Sequence, residues 1–106
     1  MYRNDDNKCL SAEMQDLLKA LANETRQRLM FLFIDGRPRS VGEIAEQVGI
    51  GSSTASEHLS RLRRGGAVKS QRMGKEVYYC PDQKRLLVTL KLLTSLLTTG
   101  CEPKKK

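Results

Sequence analysis

The chain has 106 residues, of which 39% are hydrophobic and 29% charged, and it carries a net charge of +7. That composition fits one small globular domain, excludes a disordered chain, and favours a polyanionic partner. The longest strongly apolar run, Leu29 to Ile34, falls far short of the roughly 20 residues that span a bilayer.

The opening MYRNDDNKCL has early acids and no apolar core, so it does not read as a secretory signal. The expected compartment is the cytoplasm, where thiols are kept reduced. Three cysteines, Cys9, Cys80 and Cys101, are odd in number, widely spaced and free of any C-x-x-C. They form neither a disulfide framework nor a zinc-finger pattern. The chain divides into a flexible arm (1–10), a folded domain (11–99) and a basic tail (100–106) ending in three lysines.

Ser11 is placed to cap a first helix running to about Ala22, with Met14, Leu17, Leu18 and Leu21 at i, i+3, i+4 and i+7. Asn23 caps a second helix, NETRQRLMFLFIDG, which Gly36 stops. Pro38 keeps the connection non-helical. Ser40 opens a third helix, SVGEIAEQVG, with Glu43 completing a capping box.

Gly49, Ile50 and Gly51 turn the chain into a fourth helix, about Ser52 to Arg64, whose inward stripe is Ala55, Leu59 and Leu62. Gly65 and Gly66 end it, both read as supplying positive φ. Val68–Gln71 and Glu76–Cys80 are strand candidates joined by a turn at Arg72-Met73-Gly74-Lys75. Tyr79 and Val77 should face inward, leaving Cys80 on the opposite face. Asp82 caps a last helix to about Thr99.

Two helices across a short glycine turn make a helix-turn-helix, whose second member sets its first residues on base edges. Ser52, Ser53, Thr54, Ser56 and Glu57 lie away from the apolar stripe, and short hydroxyls allow close approach to bases or phosphates. Glu57 can accept from a cytosine amine but repels phosphate. From Arg61 to Lys75 come six cations and no carboxylate. Arg61 and Arg64 suit phosphates, and Arg72 and Lys75 at the hairpin tip suit a backbone or a minor groove. The lone His58 is a packing or phosphate-contact residue, since one histidine without a second ligand is a poor metal site. Read alone, serines at a helix start are ordinary caps and arginines at a helix end complement the dipole. It is the combination of helix, turn, helix and basic hairpin that favours DNA.

From Leu86 to Leu97, eight of twelve residues are Leu or Val, with Lys91 the only charge. A helix apolar on nearly every side cannot be wrapped by so small a chain. A second copy is the expected cover, giving a homodimer through the first and last helices. A two-fold dimer presents two reading helices, and so expects an inverted-repeat operator on double-stranded DNA. The fold class expected is mainly α (α+β), a winged helix-turn-helix of about five helices with a two-stranded hairpin wing. An enzyme reading fares badly: no phosphate loop, metal-hydrolase motif or paired-carboxylate constellation appears, and His58 lies on the reading helix.

Three segments carry a family resemblance: ALANETRQRLMFLF, SVGEIAEQVGIGSSTASEHLSRLRRGGAV and GKEVYYCP. In that order the chain resembles the ArsR/SmtB repressors over about residues 12 to 98. The resemblance implies a homodimeric repressor that leaves DNA when an inducer binds, commonly a metal ion or a thiol oxidant. It departs at the inducer sites. The third helix, SVGEIAEQ, lacks the cysteine pair of metal-sensing members, and the last helix lacks their histidines. Sulfide-sensing members place a cysteine where Phe31 stands and another near the end of the last helix, slightly before Cys101.

Cys9 and Cys101 flank the expected dimer interface, which makes them the candidate sensor, by disulfide or polysulfide formation or by binding As(III). A helix of about 17 residues separates Cys80 from Cys101 and spans roughly 25 Å, so Cys80 can join such a site only from the partner subunit. The alternatives are incidental thiols in an effector-independent regulator, or a metal sensor with a non-standard site.

Overall fold

The computed structural model describes residues 10–99. The expected arm, the basic tail, Cys9 and Cys101 therefore lie outside the described residues, apart from Leu10. Helix α1 (Ala12–Leu21) begins where the Ser11 hydroxyl accepts from the Met14 amide at 3.2 Å. It buries Met14, Leu17 and Ala20. Leu18, read as part of the inward stripe, is 39% exposed. Ala20, fully buried, takes the inner place instead.

Helix α2 (Glu24–Leu32) starts at Asn23, whose Oδ1 accepts from the Arg26 amide at 3.0 Å. The helix expected to run to Gly36 tightens after Leu32 into one 3₁₀ turn, Phe33–Asp35, and Gly36 (φ 76°) ends it. Beyond Pro38 the chain is extended, and Arg39–Ser40 form a short strand, β1, that the sequence did not disclose. The Asp35 carboxylate lies 2.8 Å from Arg39 Nη2 and also accepts from the Arg37 amide. Those hydrogen bonds hold its carboxyl well below the usual carboxylate range.

Helix α3 (Val41–Val48) has the capping box its sequence announces: Ser40 Oγ accepts from the Glu43 amide and Glu43 Oε1 from the Ser40 amide. At its end the Gly49 and Ile50 amides both donate to the Ala45 carbonyl. Helix α4 (Ser52–Arg64) follows and buries Ala55, Leu59 and Leu62, as its stripe predicts.

The wing consists of β2 (Val68–Met73) and β3 (Glu76–Pro81), antiparallel, in register from Val68 opposite Pro81 to Met73 opposite Glu76. Its loop is tighter than expected. Arg72 and Met73 belong to the strand, and only Gly74 (φ 66°) and Lys75 turn the chain. Gly74 supplies the positive φ that a two-residue hairpin loop needs first. β1 pairs with the other edge of β3, so the sheet has three strands in the order β1-β3-β2 rather than two. Tyr79 is buried, with Val77 packed against the same core.

Asp82 Oδ1 accepts from the Arg85 amide, 3.4 Å away, at the start of helix α5 (Gln83–Thr99). α5 rests on α1. The core they border is built from Leu17, Leu29, Ile44, Leu59, Leu62 and Val68.

The glycine pair after α4 divides its work in a way the sequence reading did not foresee. Only Gly66 has positive φ (82°). Gly65 is right-handed, but a Cβ there would sit 2.7 Å from Ala20 Cβ and 2.8 Å from the Asp16 carbonyl oxygen. Gly65 is needed because α1 presses on the end of α4. Gly65→Ala is expected to cost about 1–3 kcal/mol through overpacking. Gly42→Ala, on an open face of α3, should instead gain up to about 1 kcal/mol. Urea unfolding of the two variants checks the contrast.

Candidate nucleic-acid interface

Helices α3 and α4 meet across the three-residue turn Gly49–Gly51, and α4 turns its outer face to solvent. Ser52, Ser53, Thr54, Ser56 and Glu57 are all exposed at its start. The structure thus brings the expected reading residues together on one surface. Gly51 sits at the N-cap without any side-chain hydrogen bond to the helix, in contrast with the closed capping box of α3. Beside this surface an open cleft of about 470 Å³ separates Ser52, Ser53 and Ser56 from Glu76 and Val77 of the wing.

The orientation of α4 is fixed by side chains that look, in the sequence, like part of a uniform basic face. Arg26 on α2 donates from Nε to the Ala20 carbonyl at 2.6 Å and from Nη2 to that of Lys19 at 3.4 Å. Its Nη1 lies 3.2 Å from His58 Nδ1. A guanidinium can only donate, so Nδ1 is the acceptor and the ring proton belongs on Nε2. His58 is half-buried and held toward α2. Burial and the neighbouring Arg61 lower the pKa of the Arg26 guanidinium. On the other flank Arg63 donates to Ser70 Oγ on β2 at 3.1 Å, tying the helix to the wing. Arg28 reaches the Val48 carbonyl at 3.1 Å and so holds the end of α3. No local pattern separates Arg26, Arg28 and Arg63 from the exposed cations, because their partners come from other elements.

Arg61 and Arg64 are exposed and, among the described residues, their side chains make no hydrogen bond or ion pair. Arg72 projects from β2 opposite Val77, and Lys75 occupies the loop. Both are exposed. Cys80 is half-buried in β3, opposite Lys69. Among the described residues no group of three His, Cys, Asp or Glu side chains could hold a metal ion, and no helix is long and apolar enough to cross a membrane.

Two helices across a glycine turn, with a basic three-stranded wing packed beside the second, define a winged helix-turn-helix protein. A helix-turn-helix domain model matches residues 21–71. The biofilm growth-associated repressor of Xylella fastidiosa is 33% identical over 106 residues, covering 100% of this chain and 89% of the relative. The transcriptional activator HlyU of Vibrio cholerae is 34% identical over 86 residues, covering 81% of this chain and 79% of the relative. The structure of its reduced form superposes with a TM-score of 0.63 at 33% identity, covering 80% of this chain and 88% of that one. A homodimeric winged helix-turn-helix DNA-binding domain from Mycobacterium bovis, a possible ArsR-family regulator solved by NMR, gives a TM-score of 0.69 at 27% identity, covering 100% of this chain and 97% of that one. The chain belongs to the ArsR/SmtB family of winged helix-turn-helix transcriptional regulators, a family of DNA-binding proteins rather than enzymes.

The Arg26–His58 contact makes a prediction of its own. In a double-mutant cycle with Arg26→Ala and His58→Ala, unfolding free energies should show a coupling of about 0.5–3 kcal/mol. Strict additivity would mean that the two side chains do not hold each other.

Proposed function

We propose that this protein is a homodimeric transcriptional repressor, acting in the cytoplasm, that grips an inverted-repeat operator and releases it when its thiols are modified. The observation that carries the DNA reading is the surface of α4, with short hydroxyls and one carboxylate at its start and partnerless cations at its end. Ser52, Ser53, Thr54, Ser56 and Glu57 are the base-reading set, and Arg61 and Arg64 bind phosphate. Arg72 and Lys75 carry the wing to the backbone or minor groove. His58 acts from behind, holding the helix at the angle at which the others reach the groove.

The dimer is supported by α5. Leu87, Val88, Leu90, Leu92 and Leu97 are 42–79% exposed, while Thr89 is 7% exposed against its own chain. The homodimeric Mycobacterium bovis neighbour points the same way. Two copies related by a two-fold axis present their α4 helices to half-sites about 34–36 Å apart. Leu90→Asp is expected to yield monomers in sedimentation velocity and to weaken operator binding far more than binding of a half-site duplex; a dimer that survives would place the interface elsewhere.

The trigger is assigned to Cys9 and Cys101, with the partner subunit's Cys80 as a further thiol and As(III) as an alternative ligand. What supports this is the sequence, which lacks the family's metal-site cysteines and histidines but retains thiols at both ends of the domain.

The test is an operator titration in reducing buffer, repeated with polysulfide, peroxide, arsenite and zinc. Replacing Ser53 and Ser56 with Ala should relax sequence preference more than non-specific binding, and Arg72→Ala or Lys75→Ala should each flatten the salt dependence by about one unit. Polysulfide or arsenite should lower the affinity of the parent protein but not of Cys9→Ser or Cys101→Ser variants. An affinity that no reagent changes would leave a repressor without a thiol trigger.

A further inference from the structure

Where α1 meets the end of α4 there is a second cleft, of about 300 Å³, walled by Asp16, Lys19, Arg61, Arg64 and Gly65. We propose that this cleft seats a phosphate of the DNA backbone, and that Lys19, on a helix outside the helix-turn-helix, is a DNA-positioning residue. The inference rests on α4 being the reading helix and deepens that assignment.

Charge allocation is the first argument. Arg26, Arg28, Arg39 and Arg63 are each committed to a carbonyl, carboxylate, hydroxyl or ring nitrogen within the fold. The side chains of Lys19, Arg61 and Arg64 have no hydrogen bond or ion pair among the described residues. Three cations lining one cleft without partners repel one another. Asp16 is the single carboxylate on the wall and closes no ion pair with them within the described residues. An anion carrying several acceptor oxygens relieves that repulsion, and phosphate fits the donor set of two guanidinium groups and an ammonium.

Geometry is the second. At 100° per residue Ser53 and Arg64 lie within about 20° of each other around α4, and about 16 Å apart along its axis. The major groove is about 12 Å wide. A helix with Ser53 on base edges therefore carries Arg64 past the groove floor to its phosphate wall. The wing, tied to α4 through Arg63 and Ser70, occupies the opposite flank. Lys19 is brought to the first wall by Gly65, because any side chain there would strike Asp16 and Ala20 and push α1 away.

The experiment measures binding of the full chain to an operator duplex by fluorescence anisotropy over a range of KCl. Lys19→Gln is expected to weaken binding several-fold on every sequence and to reduce the salt slope by about one unit. Lys19→Arg should restore both, and Asp16→Asn should tighten binding. Thermal melts confirm that these exposed substitutions leave the fold intact. In parallel, inorganic phosphate titrated into DNA-free protein should give only weak, non-saturating amide shifts at Asp16, Lys19 and Arg61, because a free anion lacks the other contacts that hold the duplex. If the parent protein binds and the Lys19→Gln slope is unchanged, the proposal is overturned. A saturable phosphate shift together with that unchanged slope would assign the cleft to a free anion instead. A parent protein that binds no DNA at all would overturn the reading-helix assignment itself.

Discussion

The placement of α4 depends on one guanidinium. Arg26 closes two carbonyls at the end of α1 and braces His58 in the middle of α4, while its own amide is capped by Asn23. An unsatisfied helix end and an unsupported reading helix would otherwise both need partners from solvent. Arg63 to Ser70 then sets the tilt toward the wing, and the missing side chain at Gly65 lets α1 close over the far end. With three sides held, the fourth faces solvent, and that is the face where the hydroxyls and unpartnered cations collect.

Much of this was legible in the sequence because the relevant physics is local. Ser11, Asn23, Ser40 and Asp82 each cap the helix they were expected to cap, since a short oxygen three residues before a free amide needs no tertiary help. The Tyr79 and Val77 alternation placed β3 correctly for the same reason. β1 was missed because two residues carry no periodicity, and Arg39 and Ser40 become a strand only because β3 offers them an edge. Gly65 was misread because a positive φ and a close helix contact demand the same residue and leave the same letter. The arginines are the deepest case: a structural Arg26 and a free Arg61 differ only in what another helix places beside them.

α5 is apolar on both faces. It turns Thr89 toward its own chain together with half-buried Leu86, Leu93 and Leu96, and several other leucines toward solvent. Leucines on the outer face are the poorer choice against water, so the helix is out of balance as a monomer element. The balance is restored if the outward face meets a second copy of α1 and α5. Leu18, displaced from the inward stripe of α1, belongs to the same account, since its 39% exposure adds apolar area beside that face.

The proposed dimer face and the proposed DNA face thus differ in chemistry, leucine on one and serine, lysine and arginine on the other, and α1 borders both. Its Leu18 side serves the apolar face while Lys19 borders the cleft at the end of α4. Because the Gly65 contact leaves α1 almost no slack against α4, a shift of α5 that carries α1 would carry α4 with it. A modification at the proposed thiols would then reach the proposed DNA face as a movement of α1 and α4 together. Such a movement would change how the two α4 helices of the proposed dimer are spaced, and it would leave the residues on each helix unchanged.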